Sequence, residues 1–183
     1  MPKITGIQTA KRRTGWVEIQ LDGASSLLLP EDQVLSLGLA AGDRVSAVDL
    51  ERIEHAAGRA EAMRIALRYL SVRPRARREL VIQLRRKGLD DIAIQPTIER
   101  CDELGYLDDR AFAAAFARDR IRLRPCGVRR MRDDLRSKGV SEEDALAGIA
   151  QGLEDEGVSE DELLNESPSG GRLDCGTSSP KSP

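Results

Sequence analysis

Residues 73–89 of the chain are RPRARRELVIQLRRKGL, and residues 124–140 are RPCGVRRMRDDLRSKGV. The two stretches align at a fixed offset of 51 residues, which pairs an Arg-Pro step, a Leu or Met, a Leu-Arg step and a Lys-Gly turn. A constant offset that keeps apolar, basic and glycine positions in register is typical of a helical repeat. Because each repeat buries its apolar face on its neighbour, the pattern predicts an elongated body suited to lying along another macromolecule.

Each repeat is predicted to contain a helix between its Arg-Pro step and its glycine. In the first copy Pro74 is placed at the helix start, where its missing N–H costs nothing. Leu80 and Leu84 form the apolar stripe, and Gly88 supplies the left-handed stop. The second copy follows the same order and ends at Gly139.

The helices that follow these turns are predicted from capping residues. The helix after Gly88 is expected to begin near residues 93–95, because Pro96 would damage a helix begun earlier. Asp108 or Asp109 is expected to cap the next helix, and Ser141 the last one.

Residues 2–48 show β signals instead. Apolar and polar residues alternate over residues 17–21, Asp22-Gly23 is a tight-turn signal, and residues 44–48 continue the strand pattern. From Asp49, which is assigned as the N-cap, the apolar period becomes helical for about 22 residues.

The predicted fold is therefore mainly α, with tandem three-helix (helix-turn-helix-like) repeats preceded by a small β-rich N-terminal domain. The predicted units are a small β-rich domain at 1–48, a linker helix plus the first three-helix repeat at 49–106, the second three-helix repeat at 107–158, and an acidic, disordered tail at 159–183.

Charge is distributed unevenly along the chain. The total is −2, yet residues 68–138 hold 19 basic and 11 acidic side chains, while residues 139–183 hold 2 and 11. Such asymmetry indicates a centre that faces a polyanion, followed by an acidic tail. The plainer interpretation is that these charges are the solvated faces of ordinary helices.

The basic residues of the repeats are the candidate partner- or nucleic-acid-binding residues. Arginine outnumbers lysine among them, which favours bidentate contacts with phosphate or carboxylate. The candidates are Arg73, Arg75, Arg77, Arg78, Arg85, Arg86, Lys87, Arg118, Arg122, Arg124, Arg129, Arg130, Arg132, Arg136 and Lys138. Some of them are expected to pair with Glu79, Asp102, Glu103 or Asp119 instead.

Two further charged groups are given a plainer interpretation. Asp133 and Asp134 are expected to pair at helical spacing with residues 129–130 and Lys138. Residues 11–13, beside Trp16, are assigned to a solvated hairpin loop in preference to a phosphate contact.

No catalytic, metal or cofactor site is predicted, so the chain is expected not to be an enzyme. Cys101, Cys126 and Cys175 show no CxxC spacing, and His55 is the one histidine, which gives no zinc set. Cys101 falls on an apolar helix face and is assigned to the core. No apolar run approaches 18 residues, so we expect a cytoplasmic protein that makes no contact with a membrane. We also expect the protein to be a monomer.

Several motifs resemble the RecX family of recombinase regulators. The resemblance covers roughly residues 60–150, and its most specific motif is LGYLDDRAFA at residues 104–113. The other motifs are ALRYLSVRP at 66–74, REL at 78–80, LRRKG at 84–88, GVRR at 127–130 and LRSKGV at 135–140. Residues 1–50 also resemble the small β domain that precedes the helices in some members.

The resemblance implies tandem three-helix repeats and a non-enzymatic role in homologous recombination, DNA repair and the SOS response. It implies binding within the groove of a RecA–single-stranded-DNA filament, with inhibition of ATP hydrolysis and strand exchange, and it leaves direct contact with single-stranded or duplex DNA open. Family members commonly carry a third repeat, where this chain has an acidic stretch.

Two alternatives stay open from the residues alone. One is a helix-turn-helix module that binds duplex DNA without a recombinase, and the other is a helical scaffold that binds another protein. The acidic segment 154–162 is expected either to fold back on the basic face or to act as a solubilising tail.

Overall fold

The computed structural model describes residues 1–22 and 26–166, with side chains up to Leu163. The described residues form three strands and eight helices, so the mainly α fold with a small β-rich start is confirmed. The elements are β1 (Ile4–Thr9), β2 (Trp16–Leu21), β3 (Leu27–Pro30), α1 (Glu31–Ser36), α2 (Ala47–Leu70), α3 (Arg77–Arg86), α4 (Asp91–Glu103), α5 (Asp109–Leu123), α6 (Val128–Ser137), α7 (Glu142–Glu156) and α8 (Glu160–Glu166).

The strands form one antiparallel sheet in the order β1-β2-β3. The alternation along β2 places Val17, Ile19 and Leu21 on the buried face, where they share a core with Ile53 of α2. The long helix α2 is thus held by the sheet at one end. Of the tight-turn signal at Asp22-Gly23, Gly23 lies outside the described residues.

The strand predicted at residues 44–48 is wrong. Arg44 makes one isolated bridge to Lys3, and Ala47 already begins α2. The Ser46 hydroxyl oxygen accepts a hydrogen bond from the Asp49 N–H at 3.1 Å and donates its own proton to the Asp49 carboxylate. Ser46 is therefore the N-cap, and Asp49, predicted for that role, lies in the first turn.

The repeat offset is reproduced residue by residue. Adding 51 to the bounds of α3 gives those of α6, and the same shift carries the start of α4 onto the start of α7. Gly88 and Gly139 both adopt positive φ at the helix ends, as predicted. The caps predicted at Asp108 and Ser141 are also confirmed, because each side chain accepts a hydrogen bond from a backbone N–H of the first turn.

Both proline predictions are wrong. Pro74 lies outside a helix, since α3 begins at Arg77 after Ala76 as N-cap. Pro96 lies inside α4, whose N-cap is Asp90. The proline lacks the N–H that would donate to the carbonyl of Ile92, so α4 continues through the loss of one hydrogen bond near its start.

The helix α2 belongs to the first repeat and is not a separate linker. Ala62 and Ala66, in its second half, pack in one core with Leu80 and Leu84 of α3 and Ile98 of α4. The first three-helix unit is thus α2, α3 and α4, and the second is α5, α6 and α7.

Helices α5 and α7 approach very closely. A Cβ added at Gly148 would meet the Ala113 methyl and lie 2.6 Å from the Arg110 carbonyl oxygen. A Cβ at Gly152 would lie 2.7 Å from the Ala117 Cβ. Two glycines one turn apart therefore let the two backbones come together, which fixes the geometry of the second repeat.

The disordered tail predicted from residue 159 is wrong for its first part. Residues 160–166 form α8, and Leu163 is buried in the core of the second repeat. Leu163, together with the partly buried Val158 before the helix, packs the acidic segment against the core of the second repeat. The remainder of the predicted tail lies outside the described residues.

Candidate partner-binding surface

The two repeats meet where α3 begins. Ala76 is fully buried in the core of the second repeat, and the Arg77 N–H donates to the Asp109 carboxylate at 3.0 Å. The stem of Arg78 covers Gly139, and its guanidinium donates to the Ser137 carbonyl at 3.3 Å. Two predicted binding residues thus contribute to the junction between the repeats.

A second cluster of the junction is centred on Glu79. Its carboxylate binds Lys138 of the second repeat at 3.1 Å and lies 3.9 Å from Arg75. The Arg75 guanidinium lies 4.2 Å from the centre of the Tyr69 ring, and the Lys138 ammonium lies 6.0 Å from that of Phe116. These two cations are engaged within the protein.

Three of the four arginines of α5 are bound by carboxylates of α6 and α7. Arg118 binds Asp155, Arg122 binds Glu156 at 2.7 Å, and Arg120 binds Asp134 at 2.8 Å. The Arg122 hydrogen bond holds the pKa of Glu156 below its usual value, and hydrogen bonds from Gln151 and Arg118 do the same for Asp155. Part of the acidic segment does fold back, onto α5.

Three other predicted residues form exposed pairs near helix ends. Arg85 binds Asp91 at 3.0 Å, Arg132 binds Glu142 at 3.5 Å, and Arg136 binds Asp133 at 3.5 Å. Exposed pairs of this kind contribute about 0–1 kcal/mol each, so a stronger partner can displace them. The predicted pairing of Asp133 and Asp134 with residues 129–130 and Lys138 is wrong, since Asp134 binds Arg120.

Six of the fifteen predicted residues have exposed side chains with no hydrogen bond or ion pair to another described residue. We call them the unpartnered set, and they are Arg73, Arg86, Lys87, Arg124, Arg129 and Arg130. Arg73 and Arg124 are equivalent at the 51-residue offset. The sequence analysis missed Arg68 and Arg110, which are exposed and unpartnered in the same sense. Arg68 lies within the motif at 66–74, and this position could have marked it as a candidate binding residue.

Each repeat carries a groove in an equivalent position along its first helix. The first-repeat groove lies between α2 and α3 and is lined by Ile65, Arg68, Tyr69 and Val72, among others. The second-repeat groove is lined by Phe116, Asp119, Arg120, Leu123 and Arg124. Subtracting 51 from the first four of these gives the four residues of the first groove. Val72 and Leu123 are equivalent and are 75% and 76% exposed.

The described cysteines are not placed for chemistry. Cys101 is buried in the first core, as predicted, and burial raises the pKa of its thiol. Burial also raises the pKa of the half-buried Cys126. Within residues 1–22 and 26–166 no three His, Cys, Asp or Glu side chains cluster to hold a metal ion. None of the helices in this part of the chain is long and apolar enough to cross a membrane.

Comparison with known proteins identifies the repeats. The family model for the RecX first three-helix domain matches residues 62–101, and the model for the RecX second three-helix domain matches residues 108–149. The chain belongs to the RecX family. Each matched range falls on one three-helix unit. The first begins part-way along α2 and ends in α4, and the second begins at the N-cap of α5 and ends part-way along α7.

Similar proteins carry the name "Regulatory protein RecX". The protein from Lactobacillus johnsonii is 35% identical over 141 residues, which cover 77% of this chain and 52% of that protein. The protein from Prosthecochloris aestuarii is 40% identical over 91 residues, covering 50% of this chain and 60% of that protein. The chain thus spans about half to three fifths of the length of these curated relatives.

A solved structure shares the fold. The crystal structure of a regulatory protein RecX matches with a TM-score of 0.65 and 27% sequence identity, covering 82% of this chain and 74% of that one. Membership of a family of regulatory proteins supports a regulatory role for this RecX chain, and the family is named for regulation and not for catalysis.

Proposed function

We propose that this RecX chain is a non-enzymatic regulator that binds the RecA–single-stranded-DNA filament in the cytoplasm and inhibits its ATP hydrolysis and strand exchange. It acts as a monomer and needs no cofactor. The observation that carries the proposal is the unpartnered set, six exposed cations on a body built from two RecX repeats. A filament presents acidic protein surface and phosphate, and both attract such cations.

The unpartnered set is a narrower candidate than all fifteen basic residues. An arginine already bound to a carboxylate must lose that contact before it binds a partner, whereas Arg86, Lys87, Arg129 and Arg130 lose only water. The guanidinium of Arg77 is bound to Asp102 within the first repeat, at 2.6 Å. Arg78 and Lys138 hold the repeats together, so their contribution to binding is indirect. We therefore assign direct contact to the unpartnered set.

Removing four unpartnered cations should weaken inhibition strongly. The variant Arg86→Ala/Lys87→Ala/Arg129→Ala/Arg130→Ala loses four contacts worth about 0.5 kcal/mol each, or about a 30-fold loss in affinity. The measurement is RecA ATPase activity on single-stranded DNA against increasing RecX concentration. We expect the concentration for half inhibition to rise by about 10- to 30-fold.

A control of equal charge change uses arginines that are already paired. Arg85→Ala/Arg122→Ala/Arg132→Ala/Arg136→Ala also removes four positive charges, each from a side chain that is bound to a carboxylate. Half inhibition should move by less than about threefold. Equal losses in both variants would refute the special role of the unpartnered set, and absence of any inhibition by the parent chain would refute the proposed function. Tight binding to bare duplex DNA with no effect on RecA would favour a duplex-binding module.

A further inference from the structure

The β-hairpin of the N-terminal domain lies against the groove of the first repeat. Arg13, in the loop between β1 and β2, binds Glu61 of α2 at 2.7 Å, and its guanidinium lies 5.4 Å from the centre of the Trp16 ring. Glu61 lines the groove and also binds Arg64 at 2.7 Å. The hydrogen bond from Arg64 and the charges of both arginines hold the pKa of Glu61 below its usual value. The hairpin tip is therefore fixed at the rim of the groove.

The surface formed in this way is strongly basic. The groove has a volume of about 500 Å³, and Arg64, Arg68 and Lys87 are its basic lining residues. The hairpin adds Arg13 and, beside it in the same loop, Lys11 and Arg12. Six basic side chains thus belong to the groove and the hairpin loop, and Glu61, which two arginines already bind, is the acidic residue that lines the groove. The four without a hydrogen bond or ion pair to another described residue are Lys11, Arg12, Arg68 and Lys87.

The equivalent groove of the second repeat lacks this character. Arg68 is replaced at the 51-residue offset by Asp119, which reverses the charge on the groove wall. Lys87 corresponds to Lys138, whose ammonium is bound to Glu79. Arg120 of this groove is bound to Asp134. The two grooves occupy equivalent positions but differ in charge. The second has one lining cation without a partner among the described residues, Arg124, whereas Arg68 and Lys87 are two such cations in the first. The hairpin loop adds two more to the first groove.

We propose that the first-repeat groove and the tip of the β1–β2 hairpin together bind the phosphodiester backbone of nucleic acid. Four free cations from three separate elements suit a ligand whose anions recur at regular spacing, and Val72 on the same wall provides apolar surface for a sugar or base. This deepens the proposed function and rests on it, because it assigns the DNA strand of the filament to the β domain and the first repeat.

The test measures binding to nucleic acid alone, without recombinase. Fluorescein-labelled oligo-dT and a duplex of equal length are titrated with the full chain, and anisotropy is recorded at several salt concentrations. In Lys11→Ala/Arg12→Ala/Arg68→Ala/Lys87→Ala, affinity should fall at least tenfold at low salt. The slope of log K against log salt on single strands should become shallower by about 3, since each phosphate contact contributes about 0.7.

The matched control removes four cations to which no direct contact is assigned. Arg85→Ala/Arg122→Ala/Arg132→Ala/Arg136→Ala changes the charge equally and should reduce oligonucleotide affinity by less than about threefold. Equal losses in the two variants, or no binding of either oligonucleotide by the parent chain, would overturn the proposal. A loss limited to oligo-dT or to the duplex supports it and identifies which strand form is bound.

Running RecA ATPase assays on the same proteins separates this proposal from the proposed function. Normal oligonucleotide binding by the groove variant together with lost ATPase inhibition would show that an acidic protein surface occupies the groove, which overturns the nucleic-acid proposal and keeps the regulator. Groove-dependent oligonucleotide binding by a chain that never affects RecA would support the nucleic-acid surface and refute the regulator.

Discussion

Gly148→Ala should lower the melting temperature by about 4–8 °C. The added Cβ would lie 2.6 Å from the Arg110 carbonyl oxygen and 2.8 Å from the Ala114 nitrogen, both backbone atoms that cannot rotate away. Separating α5 from α7 costs about 3 kcal/mol or more, since overpacking of a tight core is destabilising. The gain of about 1 kcal/mol in helix propensity offsets only part of this. For a chain of this length each kcal/mol shifts the melting temperature by about 2–4 °C. The measurement is thermal unfolding followed by circular dichroism.

Gly58→Ala is the matched control, because Gly58 also lies inside a long helix. The nearest atom to its added Cβ is the Ala93 methyl at 3.3 Å, a contact that a small shift relieves. We expect the free energy of unfolding to change by less than about 1 kcal/mol, with the helix propensity gain offsetting the contact. If Gly148→Ala melted at the same temperature as the parent chain, the result would contradict the close packing of α5 against α7.

Leu163→Ala should destabilise the chain by about 2–4 kcal/mol. The side chain is 1% exposed and belongs to the core of the second repeat, so truncation leaves a cavity. Chemical denaturation gives the free energy directly. Leu146→Ala, at a position that is 45% exposed, is the control for the same chemical change and should cost less than about 1 kcal/mol.

Two truncations sharpen the same prediction. A chain ending at Val158 loses Leu163 and should show the destabilisation of Leu163→Ala. A chain ending at Glu166 keeps α8 and should be more stable than the chain ending at Val158. Identical unfolding of the two truncated chains would show that α8 does not stabilise the second repeat.

The sequence predicted the repeat architecture because its signals are local. The offset of 51 residues, the caps at Asp108 and Ser141 and the turns at Gly88 and Gly139 each depend on a few neighbouring residues. Such local signals have the same effect in the folded chain, because each cap accepts a hydrogen bond from a backbone N–H of its own helix and each glycine turn ends one. Capping also explains the error at Asp49, where Ser46 is a second candidate three residues earlier.

The candidate surface was less predictable, because it depends on contacts between distant residues. Arg118 and Asp155 are 37 residues apart, and Arg78 and Ser137 are 59 apart, so helical spacing says nothing about either contact. Nine of the fifteen predicted cations were already engaged within the protein, six of them with residues ten or more positions away. One available signal was overlooked, since Gly148 and Gly152 are spaced by one helical turn, which is typical of a close helix pair.

The burial of Ala76 makes the contact between the two repeats asymmetric. This residue lies in the range of the first family domain, yet its methyl completes the interior of the second. Dividing the chain between the two domains would therefore leave a cavity in the core of the C-terminal fragment. In the N-terminal fragment, Ala76 would be exposed to solvent. The halves are not interchangeable modules, and we expect them to fold as one cooperative unit.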